Sequence, residues 1–172
     1  MKIVLLAAPT RFIEECDAAI PAWYDYKLIS KGVEQANETH LGMTGKRVMK
    51  EVAKYAKELG DDYTKIILGG FSQGCVVSLY TALAFGKEIG GICGLSGYLV
   101  PFITLPTDCK KTKILLYHGK ADDKLNYVMA MKSYERLKAA GIEAKIISEA
   151  KMQHEISPNE LKEIETFFST FK

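Results

Sequence analysis

Residues 66–80 read Ile-Ile-Leu-Gly-Gly-Phe-Ser-Gln-Gly-Cys-Val-Val-Ser-Leu-Tyr, and no other stretch restricts the fold as tightly. A short apolar run suits a buried strand, glycines crowd about one serine, and an apolar run of helical length follows. Gly70-Phe71-Ser72-Gln73-Gly74 fits the pattern G-x-S-x-G, in which a strand turns sharply into a helix and a serine hydroxyl is left exposed on a strained backbone. Side chains two residues before and after the serine are expected to collide with neighbouring backbone, which calls for glycine at both places. A helix starting after Ser72 would aim free N–H groups and the positive end of its dipole at the space above the hydroxyl. The pattern by itself also occurs in bland glycine-rich turns; its position between a β-run and an α-run gives it weight.

Around this centre, strand and helix signals alternate. Residues 3–8 are continuously apolar, as expected of a parallel strand covered on both faces. That run leads straight into Pro-Thr-Arg and is too short for the apolar core of a signal peptide. Residues 9–42 read as mostly irregular, with an aromatic cluster, Trp23-Tyr24-Asp25-Tyr26, behind Pro21. A connection of that length either covers a site or is a solvated loop pinned by its aromatics. Val48, Val52, Tyr55 and Leu59 recur at helical spacing before Gly60, which predicts an amphipathic helix over 43–59. Further strands are expected at 65–69, 89–96, 113–117 and 144–148, and further helices at 73–85 and around 125–137. Ser157-Pro158-Asn159-Glu160 combines a capping box with proline at the first helical position and opens a terminal amphipathic helix.

This order predicts one α/β domain over residues 1–172: a three-layer sandwich with a mostly parallel, twisted sheet of about five strands and helices on both faces. Right-handed crossovers bring all strand C-termini to one edge, where sites form in such sheets. Composition excludes several alternatives. With 48% hydrophobic and 26% charged residues the chain is not disordered, and a net charge of +2 spread along it leaves no nucleic-acid footprint and no polybasic membrane patch. No segment is long enough for stable membrane insertion. Cysteines 16, 75, 93 and 109 have neither C-x-x-C nor zinc spacing and read as reduced thiols in a cytoplasmic setting.

A serine hydroxyl is a poor nucleophile at neutral pH; it needs a general base in reach and an acid to orient that base. After the strand at 113–117 comes His118-Gly119-Lys120-Ala121-Asp122-Asp123, and after the strand at 144–148 comes Glu149-Ala150-Lys151-Met152-Gln153-His154. Ser72, Asp122 and His154 therefore converge by topology in the order Ser, Asp, His. Asp122 or Asp123 could instead cap the next helix. His118, directly after a strand and before glycine, is the rival base and reads as structural; His40 lies in the long N-terminal loop without a strand context.

Taken together, Ile67–Gly74, Ser78-Leu79-Tyr80-Thr81-Ala82-Leu83, Leu95-Ser96-Gly97-Tyr98-Leu99, His118-Gly119 with Asp122, and Met152-Gln153-His154 resemble the acyl-protein thioesterase/carboxylesterase family of α/β-hydrolases. Ala8-Pro9 and Pro21-Ala22-Trp23-Tyr24-Asp25 resemble its A-P…P-S-W-F-D stretch. The resemblance implies Ser72 as nucleophile, Asp122 as orienting acid, His154 as base, the main-chain N–H of Gln73 as an oxyanion donor, and Trp23, Tyr98 and Leu99 near the acyl-binding surface. It implies a small acyl ester or thioester as substrate, free or on an acylated protein, with no cofactor and no metal.

Three departures qualify the resemblance. Cys75 replaces a glycine and should be tolerated as a small buried residue. Asp123-Lys124-Leu125-Asn126 stands where the family has an apolar pair and proline. The family's first strand, ending in L-H-G-x-G-D, has no counterpart, and its loop normally supplies the second oxyanion donor. Two arrangements answer that absence. Residues 3–8 slide into the vacancy beside 66–69, so that Ala8, Thr10 or Arg11 donates, or the sheet keeps an exposed edge that favours a homodimer. The expected function is a serine carboxylesterase or acyl thioesterase; the alternatives are an impaired homologue acting as a ligand-binding or interaction module, and a piece of a longer chain.

Overall fold

The computed structural model describes residues 1–106 and 111–171. Cys109, read above as a reduced thiol, lies outside the described residues. In chain order the elements are β1 (Thr10–Ile13), β2 (Ala18–Pro21), β3 (Tyr26–Ser30), β4 (Val33–Ala36), α1 (Glu38–Glu58), β5 (Ile67–Phe71), α2 (Gln73–Ala84), β6 (Gly91–Leu95), β7 (Lys113–Gly119), α3 (Tyr127–Ala139), β8 (Lys145–Glu149) and α4 (Pro158–Ser169). The main sheet has four parallel strands in the order β5-β6-β7-β8, and β1-β2 and β3-β4 are two antiparallel hairpins apart from it. The fold class is α/β, with four strands in the main sheet where about five were expected.

Alternation across the strands divides the core. Leu68, Ile92, Ile114 and Leu116 face one side and pack with Val48 and Val52 of α1, the apolar run of α2, and Tyr134 and Leu137 of α3. Cys93, Leu95, Leu115 and Tyr117 face the other and pack with Phe167 of α4 and with Met152. Strands buried on both faces read as unbroken apolar runs, and β6 and most of β7 are buried along their length. α2 is enclosed by α1, β5 and β6, which is why it is apolar nearly all round.

The N-terminal third departs from expectation. Residues 3–8 form no strand: Ile3 and Leu5 are 73% and 91% exposed. They do not slide into the sheet, and among the described residues β5 pairs only with β6. Ala8, Thr10 and Arg11 do not pair with β5; Thr10 and Arg11 begin β1, paired with Pro21 and Ile20 of β2, and the Pro9 carbonyl and Arg11 side chain hold Ala22, one residue before Trp23. Residues 9–42 are two hairpins and the first turn of α1 rather than an irregular loop, and His40 sits in that helix.

Candidate active site

β5 ends at Phe71 and α2 begins at Gln73, so Ser72 alone makes the turn. Its backbone lies at φ 54°, ψ −119°, a region costly for any residue with a side chain. The steric demand is one-sided. A Cβ on Gly70 would stand 2.4 Å from the Gly74 carbonyl carbon, whereas a Cβ on Gly74 would meet nothing within 4 Å. Glycine is required before the serine; after it, the expected collision does not occur. Cys75 is fully buried, with its Sγ filling the space over Gly94 and Gly97.

The Ser72 carbonyl accepts the N–H groups of Cys75 and Val76. Those of Gln73 and Gly74 find no acceptor among the described residues, and they open the N-terminus of α2 toward the serine. The Gln73 side chain turns away from this opening. Its Oε1 accepts the Trp23 N–H at 2.9 Å and its Nε2 donates to the Tyr24 carbonyl at 3.0 Å. That pair locks the segment behind β2 against the elbow, and it consumes the Trp23 N–H.

Two loops bring the other candidates in. After β7, Asp122 Oδ1 accepts the N–H groups of Lys124 at 2.9 Å and Leu125 at 2.8 Å, which fixes the carboxylate. After β8, the loop packs on the preceding turn so closely that a Cβ on Gly119 would lie 2.1 Å from the Met152 carbonyl oxygen. Ala121 N–H donates to that same oxygen at 3.1 Å. This contact carries His154 to Asp122, where Nδ1 stands 2.8 Å from Oδ2. Burial would push the Asp122 pKa up, but the hydrogen bond from His154 and the two backbone N–H groups outweigh it and hold the carboxyl below its ordinary range. Asp123 is exposed and faces only Lys124. Asp122 ties its own loop and meets the histidine; the cap of α3 is Asn126, whose side chain accepts the Met129 N–H, and not Asp122 or Asp123.

The His154 ring lies 4.7 Å, centroid to centroid, from that of Phe71, the residue before Ser72. Histidine, carboxylate and elbow are thus neighbours at the C-terminal edge of the sheet. Ser72 Oγ has no hydrogen-bond partner among the described residues; in ligand-free sites such contacts are often open and tighten with substrate.

The expected acyl-side residues divide. Trp23 is half-buried beside Gln73, with the Arg47 guanidinium over its ring. Tyr98 and Leu99 are 3% and 1% exposed and belong to the core rather than to an accessible surface. One charged neighbour has no signal in the sequence. Glu34 on β4 accepts the Tyr24 hydroxyl at 2.9 Å. Burial raises its pKa, against the pull of the Tyr24 and Tyr98 hydroxyls. Among the described residues no cluster of His, Cys, Asp and Glu could hold a metal ion.

A family profile described as Phospholipase/Carboxylesterase matches residues 1–172. Acyl-protein thioesterase 1 of Neurospora crassa is 30% identical over 159 residues, covering 87% of this chain and 65% of that protein. Acyl-protein thioesterase 1 homolog 1 of Dictyostelium discoideum is 31% identical over 156 residues, covering 87% and 67%. The chain thus spans about two thirds of the length of these relatives. Among solved structures, that of Arabidopsis thaliana SOBER1 superposes with a TM-score of 0.81 at 26% identity, over 95% of this chain and 80% of the other. The fold, the strand-end placement of the candidate residues and these matches agree: the chain belongs to the phospholipase/carboxylesterase family of α/β-hydrolases.

Proposed function

We propose that the chain is a serine hydrolase that cleaves carboxylic esters or acyl thioesters through an acyl-enzyme. The observation that carries this reading is the 2.8 Å contact of His154 Nδ1 with a buried carboxylate, beside a serine on a strained strand-to-helix turn. In the proposed reaction Ser72 Oγ forms a bond to the substrate carbonyl carbon while His154 Nε2 takes the hydroxyl proton. Asp122 holds Nδ1–H and offsets the charge of the imidazolium. The main-chain N–H of Gln73 and the α2 N-terminus face the developing oxyanion. The tetrahedral centre then expels the alcohol or thiol, which leaves with the proton from Nε2. Water repeats the sequence on the acyl-enzyme and releases the acid. Held by backbone N–H groups and an imidazole, Asp122 needs no metal to stay ionised.

The substrate is an acyl ester or thioester, free or on an acylated protein, as the names of the matched relatives suggest. For the β5 edge, which among the described residues pairs only with β6, we propose a second copy of the chain as partner. A fluorophosphonate probe tests the reaction: it is expected to label the wild type at Ser72, and Ser72→Ala is expected to lose both labelling and ester turnover. A second reading, a ligand-binding or interaction module without turnover, is favoured by one observation. The Trp23 N–H near the elbow is already engaged by Gln73, so among the described residues the donors identified for the oxyanion, Gln73 and Gly74, both come from the α2 N-terminus. Folded protein that the probe leaves unlabelled would establish the module instead.

A further inference from the structure

His118 is a second imidazole beside Asp122, and nothing in the proposed reaction uses it. The ring is completely buried. Its Nε2 is 3.0 Å from the Leu125 carbonyl oxygen and 3.4 Å from Asp122 Oδ2, the same oxygen that meets His154 Nδ1. A carbonyl oxygen only accepts, so the hydrogen is on Nε2 and is given to the Leu125 carbonyl; the carboxylate oxygen lies beside that N–H at 3.4 Å, an electrostatic contact rather than a second hydrogen bond. Nδ1 is buried and makes no hydrogen bond of good geometry among the described residues, although the Gly97 backbone acts on the ring against the effect of burial. Burial also pushes the His118 pKa down.

We infer that His118 is a positioning residue: a neutral imidazole, hydrogen on Nε2, whose bond to the Leu125 carbonyl fixes the loop that carries Asp122 and sets a buried N–H edge beside Oδ2, so that this oxygen stays facing His154. Asp122 is then held by two backbone N–H groups on Oδ1 and by the His154 Nδ1–H on Oδ2, with the His118 N–H edge 3.4 Å from that same oxygen. Oδ2 is the end that must not swing, because it sets the tautomer and plane of the histidine that takes the serine proton. Leu125 supplies both a donor to Oδ1 and the carbonyl that fixes the His118 hydrogen, so one loop residue sets the geometry on both sides. Gly119, next in the chain, leaves room for the His154 loop. The pair His118-Gly119 thereby aligns carboxylate and histidine together.

This inference rests on the proposed triad, and two measurements separate it from that reading. The first needs no turnover. Nitrogen NMR of the wild-type imidazoles at neutral pH is expected to show His118 neutral with hydrogen on Nε2; a ring protonated at that pH, or carrying its hydrogen on Nδ1, overturns the inference. The second is kinetic, with active sites counted by fluorophosphonate labelling. His118→Leu is expected to lower kcat about tenfold, the upper weight of one buried hydrogen bond, with KM unchanged. His118→Gln, whose amide can reach the Nε2 position, is expected to recover most of it. In an Asp122→Asn background, His118→Leu is expected to cost little more, because the residue acts through that carboxylate. Equal losses in both backgrounds, or a wild-type kcat in His118→Leu, overturn the inference while labelled, active wild type leaves the triad standing. Where His118→Leu does not fold, the NMR result decides.

Discussion

At the scale of single residues, the buried charges outside the site show what the fold tolerates. Glu160 is fully buried on α4, and neither carboxylate oxygen has a hydrogen-bond partner among the described residues. Burial raises its pKa from 4.5 to about 7, with the Glu149 charge adding to the push. The folded state therefore favours the protonated form. Its contribution to stability is fully present below pH 4.5, declines as pH rises toward about 7, and is lost above that. Glu160→Gln cannot ionise, so its melting temperature is expected to exceed that of the wild type by a margin that grows from pH 4.5 to pH 7. Melting curves of the two proteins that stay parallel across this range would show that the carboxyl does not titrate as its burial demands. The sequence marks this glutamate as half of a capping box with Ser157. The structure keeps only one half: Ser157 Oγ accepts the Glu160 N–H at 3.0 Å, while the glutamate side chain has no partner among the described residues.

The elements show which parts of a sequence speak for themselves. β5, β6, β7 and β8, with the helices between them, were legible because each strand is a short apolar run closed by glycine or a polar residue, and each helix repeats at its own period. Asp122 and His154 were legible for the same reason, since topology delivers strand ends to one edge. The β3–β4 hairpin was not: its strands have no clean apolar alternation, and its one turn signal is Gly32 at φ 70° after Lys31. Residues 3–8 failed in the opposite direction. They have the composition of a strand, but a strand also needs a neighbour, and no local pattern reports whether that neighbour is present. The loop between β8 and α4, which carries His154, gives a test at this scale. Ser157 Oγ donates to Glu149 Oε2 at 2.6 Å, tying the end of β8 to the start of α4. Ser157→Ala is expected to cost about 1 kcal/mol as a lost cap, read from urea unfolding, and to lower kcat through a looser loop. Ser157→Thr, which keeps the oxygen, is expected to restore both.

The molecule as a whole carries two unfinished features on its N-terminal side. Among the described residues β5 pairs only through β6, and a free edge offers unpaired N–H and carbonyl groups to any extended chain. The N-terminal segment forms no strand and has no partner strand among the described residues. Lys2 reaches Glu58 at 3.0 Å and the Ala7 carbonyl accepts from Arg47, so the segment leans on α1. Met1, Ile3 and Leu5 point outward at 89%, 73% and 91% exposure, while Val4 and Leu6 are less open at 40% and 36%. That period of two is the pattern of a strand with one face uncovered. An open edge and an open apolar row on one molecule favour association between copies, since each satisfies what the other lacks. The mass measured by light scattering is therefore expected to rise with concentration. Ile3→Gln combined with Leu5→Gln removes the apolar row without changing the charge or touching the site, and is expected to shift the protein toward monomer while fluorophosphonate labelling of Ser72 is unchanged. A monomer mass for the wild type at every concentration would mean that α1 and solvent satisfy this side of the molecule, and that the open edge of β5 is tolerated as it stands.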